Sequence, residues 1–104
     1  MKTAIAASGD SKESLMDKRF GRCPFFCIYD DENGDIVFQK NHGLDAQEGA
    51  GPVAVQLLVN EGVQKIVAAE FGGKVKPVLE ELKIQMIMMQ DERSIEDVIN
   101  QLSK

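Results

Sequence analysis

Eight consecutive residues concentrate the chemistry of this chain: Lys18-Arg19-Phe20-Gly21-Arg22-Cys23-Pro24-Phe25. Three cations precede a cysteine, and nearby positive charge favours the thiolate, the form of sulfur that ligates metal. Pro24 has no N–H to give to a sheet ladder, so Cys23 is expected at the entrance of a strand instead of inside it. The plainer reading is a half-buried cysteine at a loop end. Cys27 differs, because it alternates with Phe26 and Ile28 in an aromatic run and free cysteine is among the most buried residue types. A thiol reagent is therefore expected to find Cys23 before Cys27. Four residues of extended chain span about 13 Å, beyond the roughly 7 Å that a disulfide allows, so the two thiols should neither cross-link nor share one metal ion. Their spacing, Cys-x3-Cys, also departs from the Cys-x2-Cys of redox and zinc motifs.

His42, the single histidine, follows in a glycine-containing stretch. An imidazole there is either an iron ligand or a solvated loop residue. Gly49-Ala50-Gly51-Pro52 opens a helical pattern, and unpaired amides at a helix start favour anions. Phe71-Gly72-Gly73 stands before the next helix in the same way. Simple helix initiation explains both segments equally well, and neither Gly-x-Gly-x-x-Gly nor Gly-x4-Gly-Lys-Ser/Thr is present to support nucleotide binding. Met86, Met88 and Met89 lie in a strand pattern and are expected to fill the core.

The elements that must position these residues can be read along the chain. Lys2 to Ala7 is an apolar run ending at Ser8-Gly9-Asp10, a buried strand and its loop. Ser11 to Arg22 shows no sustained period and reads as loop, with room for one helical turn. Pro24 to Asp30 and Asp35 to Lys40 are aromatic and β-branched, and Asn33-Gly34 between them is a strong hairpin signal, because both residues tolerate positive φ. Val53, Ala54, Leu57 and Leu58 form a helical stripe over Pro52 to Asn60, with Pro52 suited to the first helical position and Gly62 ending it. A strand over Lys65 to Ala69, a helix from about Lys76-Pro77 to Leu82, a strand over Ile84 to Met88 and a helix over Ser94 to Leu102 follow. Ser94 with Asp97 three residues on resembles a capping box. Strand–helix alternation favours a parallel sheet and the hairpin forces one antiparallel member, so a five-stranded mixed sheet is expected, with right-handed crossovers and helices on both faces.

The chain has 104 residues, 43% of them hydrophobic and 28% charged, which fits one globular domain over residues 1–104. A net charge of −5 repels phosphate backbones and anionic lipid, so neither nucleic acid nor membrane is an expected partner. No apolar stretch reaches the roughly 18 residues of a membrane span, and two cysteines without a signal peptide point to the reducing cytoplasm.

Arg19-Phe20-Gly21-Arg22-Cys23-Pro24-Phe25-Phe26, Gly49-Ala50-Gly51-Pro52 with its helix and Gly62-Val63, and Phe71-Gly72-Gly73, taken in order, resemble the dinitrogenase iron-molybdenum cofactor biosynthesis family. Its members are small carriers of NifX/NafY type that are also similar to the C-terminal part of NifB. The match covers nearly the whole chain. It implies a three-layer α/β/α sandwich of ribonuclease H-like topology whose five-stranded mixed sheet has one antiparallel strand. It also implies non-catalytic binding or transfer of an iron–sulfur or iron–molybdenum type cluster, with cluster donor and acceptor proteins as partners. Family members often carry His before Phe-Gly-Arg, where this chain has Arg19. On the resemblance, Cys23 and His42 are the ligand candidates, and Arg19, Arg22, Gly49, Gly51, Gly72 and Gly73 form the cofactor-facing rim. One thiolate cannot hold a cluster that usually takes four, so a labile cluster on a monomer or weak homodimer is expected.

Two other functions compete. A ribonuclease H-type nuclease needs carboxylates converging on divalent metals, one usually from the first strand, and Lys2 to Ala7 has none. A regulatory module binding a small anion at the glycine-headed helices needs no metal at all, and would be colourless.

Overall fold

A computed structural model describes residues 1–43, 50–90 and 92–103. The strands are β1 (Lys2–Ala7), β2 (Phe25–Asp30), β3 (Ile36–Lys40), β4 (Val63–Ala68) and β5 (Gln85–Met88), and the helices are α1 (Ala50–Asn60), α2 (Val75–Glu81) and α3 (Ile95–Leu102). The strands form one sheet in the order β3-β2-β1-β4-β5. Only β2 runs against the rest: it pairs antiparallel with β1 and β3, while β1–β4 and β4–β5 are parallel.

The centre of the sheet is β1, whose small side chains let layers pack closely on both sides. Ala4 and Ala6 point with Phe26, Ile28 and Ile66 toward α1 and α2, which contribute Ala54, Val55, Leu58, Val75 and Leu79. Ile5 and Ala7 point the other way, with Cys27 and Val67, toward Ile95, Val98 and Ile99 of α3. The expected three-layer sandwich is therefore present, with helices on both faces. No helix among the described residues is long and apolar enough to cross a membrane.

Local chemistry departs from the sequence reading in four places. Helix α1 is already formed at Ala50, so Pro52 lies inside it and not at its first position. In the hairpin only Gly34 has positive φ, 79°, and Asn33 does not. The turn closes instead through Gly34 N–H to Asp30 O at 2.8 Å and Asp30 N–H to Asp35 O at 2.9 Å. Ser11–Met16 makes no helix, because Leu15 and Met16 are drawn into isolated bridges with Ser94 and Ala7. Met88 is 59% exposed rather than core, at the end of the edge strand β5. At α3 the Ser94 hydroxyl accepts the Asp97 N–H at 3.1 Å, as the capping pattern predicts.

Candidate functional site: a cationic cleft at one end of the sheet

Strands β1 and β4 finish at the same end of the sheet, and three loops meet there. The segment after Asp17 is fastened to the end of β4: Phe20 N–H donates to Glu70 O at 3.2 Å and Glu70 N–H to Lys18 O at 2.8 Å. That pairing buries Phe20, whose ring lies 5.6 Å from those of both Phe26 and Phe71. The chain then turns at Gly21, with φ 94°, a conformation that favours glycine. Beyond the turn it is gripped by Asn41, one of two buried polar side chains among the described residues. The Asn41 Nδ2 donates to Gly21 O at 2.9 Å and Cys23 O at 2.8 Å, and its Oδ1 accepts from Gly43 N–H at 3.1 Å.

Missing side chains bring the other two loops in. A Cβ on Gly21 would stand 3.1 Å from the Gly51 Cα, and one on Gly51 would stand 2.5 Å from a methyl of Val75. The first turn of α1 is thereby wedged between the Gly21 turn and the start of α2. What remains open is a cleft of about 320 Å³ lined by Phe20, Arg22, Ala50, Gly51, Pro52, Gly72, Gly73, Lys74 and Val75.

The lining has a definite chemistry. It carries two cations, Arg22 and Lys74, and no carboxylate among the described residues, in a chain of net charge −5. Ala50 and Gly51, in the first described turn of α1, form one side of the lining. Gly72 and Gly73 differ from the packed glycines: neither adopts positive φ, and a Cβ on either would meet nothing within 4 Å. Neither backbone conformation nor packing of the protein itself requires glycine there, whereas close approach of a bound group would. The cleft suits a compact anion that accepts hydrogen bonds and touches backbone.

Of the residues singled out in the sequence, Arg22, Gly51, Gly72 and Gly73 meet in this cleft. Arg19 does not line it: its N–H donates to Asp17 Oδ1 at 2.9 Å and its Nε lies 3.9 Å from the same oxygen. His42 is exposed in the turn after β3 and is not a lining residue. Gly49 lies outside the described residues. Phe20 and Lys74 join the cleft without having been singled out as binding residues; the buried aromatic cluster and a lysine directly after Gly72-Gly73 were the available signals. Asn41 left no signal, since an asparagine beside a histidine and a glycine reads as ordinary loop.

The expectation for Cys23 is overturned. It is fully buried against Phe20, Phe26 and Ala6, not poised at the surface. Burial pushes its thiol up to about 12, and the charged neighbour acting on it is Asp17, which raises it further; hydrogen bonds from the Gly21, Ala7 and Cys23 backbone pull the other way without prevailing. Lys18 and Arg19, which precede it in sequence, are exposed, and the Gly21 turn separates them from Cys23, which enters the core. Cys27 is buried on the opposite face of the sheet, as its alternation predicts, and burial likewise pushes it up to about 12. Both cysteines are free. Among the described residues no three His, Cys, Asp or Glu side chains converge in a way that could hold a metal ion.

Known proteins share this architecture. The orange protein of Desulfovibrio gigas, solved in its apo form, superposes with a TM-score of 0.91 at 22% identity, over 97% of this chain and 85% of that one. A candidate NifB protein from Thermotoga, placed in the DUF35 family, superposes with a TM-score of 0.85 at 27% identity, over 98% of this chain and 86% of the other. An uncharacterized protein of Methanocaldococcus jannaschii is 31% identical over 74 residues, 68% of this chain; the chain spans 63% of the length of that relative. The profile of the family described as dinitrogenase iron-molybdenum cofactor matches residues 1–104, the three glycine-bearing segments of the cleft included, and the chain belongs to that family.

Proposed function

We propose that the cleft holds an anionic metal–sulfur cluster, of iron–sulfur or iron–molybdenum type, as cargo, and that the domain passes it from a donor to an acceptor protein without transforming it. The observation that carries this reading is the charge of the cleft: Arg22 and Lys74 with no described carboxylate, in an otherwise acidic chain. Family membership supplies the cofactor chemistry, and the residues fit it in one way and not in another. The lining cations and the open Gly72-Gly73 backbone suit the anionic outer face of a cluster. Thiolate ligation by Cys23 does not suit the protein as folded, because the sulfur is buried and protonated. We infer that the cluster keeps exogenous thiolates on its metal ions and is held from outside by charge and hydrogen bonds. Such a hold is reversible, which is what a carrier in the reducing cytoplasm requires.

Anaerobic reconstitution with iron, sulfide and a small thiol tests this directly. The expected result is a coloured protein that retains iron and sulfide through gel filtration and gives them up to an apo acceptor. A protein that stays colourless yet binds a metal-free anion would overturn the cluster reading and favour a regulatory module.

A further inference from the structure

The cleft-lining cation Arg22 sits on a segment whose backbone is held by one side chain from elsewhere in the fold. Asn41 takes the carbonyls of Gly21 and Cys23 on either side of Arg22, at 2.9 and 2.8 Å, and its own N–H donates to Pro24 O at 2.9 Å. Its remaining acceptor is filled by Gly43 N–H at 3.1 Å, so this 2% exposed amide has both donors and its oxygen engaged. Gly43 in turn lies against α1: a Cβ there would stand 2.6 Å from a methyl of Val53. One buried amide thus joins the Arg22 segment to the turn that braces the helix forming the facing wall.

We propose that Asn41 is the positioning residue of the cleft, fixing the Gly21–Pro24 backbone so that Arg22 is presented to the anionic cargo. The proposal rests on the cleft reading above. The arrangement is more than a structural clasp, because the two carbonyls it holds flank the residue pair Arg22-Cys23: the same bonds that seal Cys23 inside direct Arg22 toward the cleft. A guanidinium is a directional donor, and a small rotation of its backbone removes the fork from its acceptor.

The test is a double-mutant cycle read on binding of a preformed [4Fe–4S] cluster bearing small exogenous thiolates, at a temperature well below the unfolding of every variant. In Asn41→Ser the hydroxyl can still serve the turn to Gly43 while both carbonyl bonds are lost. We expect Asn41→Ser to bind about tenfold more weakly, the loss expected when one charge-assisted contact is misplaced, and to have no further effect in an Arg22→Ala background. An undiminished effect in that background, or unchanged binding by Asn41→Ser alone, overturns the positioning role. Should Asn41→Ser fail to fold, Asn41→Asp keeps the shape and enters the same cycle: a direct effect of its added charge persists without Arg22, and a positioning effect disappears. Unchanged binding by Arg22→Ala itself is the separate failure of the cleft reading, and the positioning role falls with it.

Discussion

Two hollows at opposite ends of the sheet are of the same order of size and opposite in character. The cleft of about 320 Å³ is walled by Arg22, Lys74 and glycines. The hollow beside the hairpin, about 240 Å³, is lined by Lys2, Asp30, Asp35 and Glu61 among others. The hairpin end satisfies itself: Asp30 accepts from Glu32 N–H at 3.0 Å, Asn33 from Asp35 N–H at 2.9 Å, and Gly34 is explained by its φ of 79°. At the cleft end the Gly72-Gly73 pair has no such account among the described residues. Volume alone does not mark a binding site; glycines that the fold itself does not require do.

The sharpest way to break this comparison is to neutralise each end. Removing Arg22 and Lys74 together (Arg22→Ala, Lys74→Ala) should weaken cluster binding by a factor on the order of 100, as expected for two charge-assisted contacts. Asp35→Asn with Glu61→Gln at the far end should leave binding within about twofold, since exposed charges beyond a Debye length are screened. Equal losses from the two ends, in a titration followed by absorbance, would mean that bulk charge and not the cleft governs binding.

A second contrast separates glycines of one cleft. Gly51→Ala forces a methyl against Val75 and should cost about 1–3 kcal/mol in urea unfolding, the usual penalty of overpacking. Gly72→Ala meets nothing and should change stability by less than about 0.5 kcal/mol, as an open surface site does, while reducing cluster loading. Loading that survives Gly72→Ala would show that the glycine pair is not a contact surface.

The last effect, silent at neutral pH, concerns the thiols. Both are raised from the ordinary 9.0 to about 12 by burial, so the unfolded chain ionises first as pH rises. Their contribution to stability is complete below pH 9 and declines between about 9 and 12, by on the order of 1 kcal/mol per pH unit for each thiol. Cys23→Ala should remove roughly half of that decline. In the native protein at neutral pH, labelling should be slow for both cysteines, against the selectivity that sequence alone suggests.

What was legible in the sequence follows the range of the interactions involved. Strand β1, the β2–β3 pair and the Ser94 cap are encoded by neighbours a few residues apart, and all three are where the pattern puts them. Gly51, Gly72 and Gly73 were visible as helix-heading glycines, and Arg22 as part of a basic run, but nothing local shows that they converge. Convergence depends on Gly21 touching Gly51 and on Asn41 reaching back about twenty residues, contacts with no sequence period. Cys23 was misread for the same reason: sequence neighbours were taken for spatial ones, and a glycine turn separates them.

The contact from Gly21 through Gly51 to Val75 gives the cleft one wall that cannot drift and leaves the opposite one free. A lineage adapting this scaffold to a bulkier or differently charged cargo has little room to change the first three positions, because each substitution displaces the next. Positions 72 to 74 face open space and tolerate replacement without disturbing the sheet beneath. Diversification of cargo among such domains should therefore be written at the start of α2, and a designer seeking a new specificity would do best to randomise those three residues first.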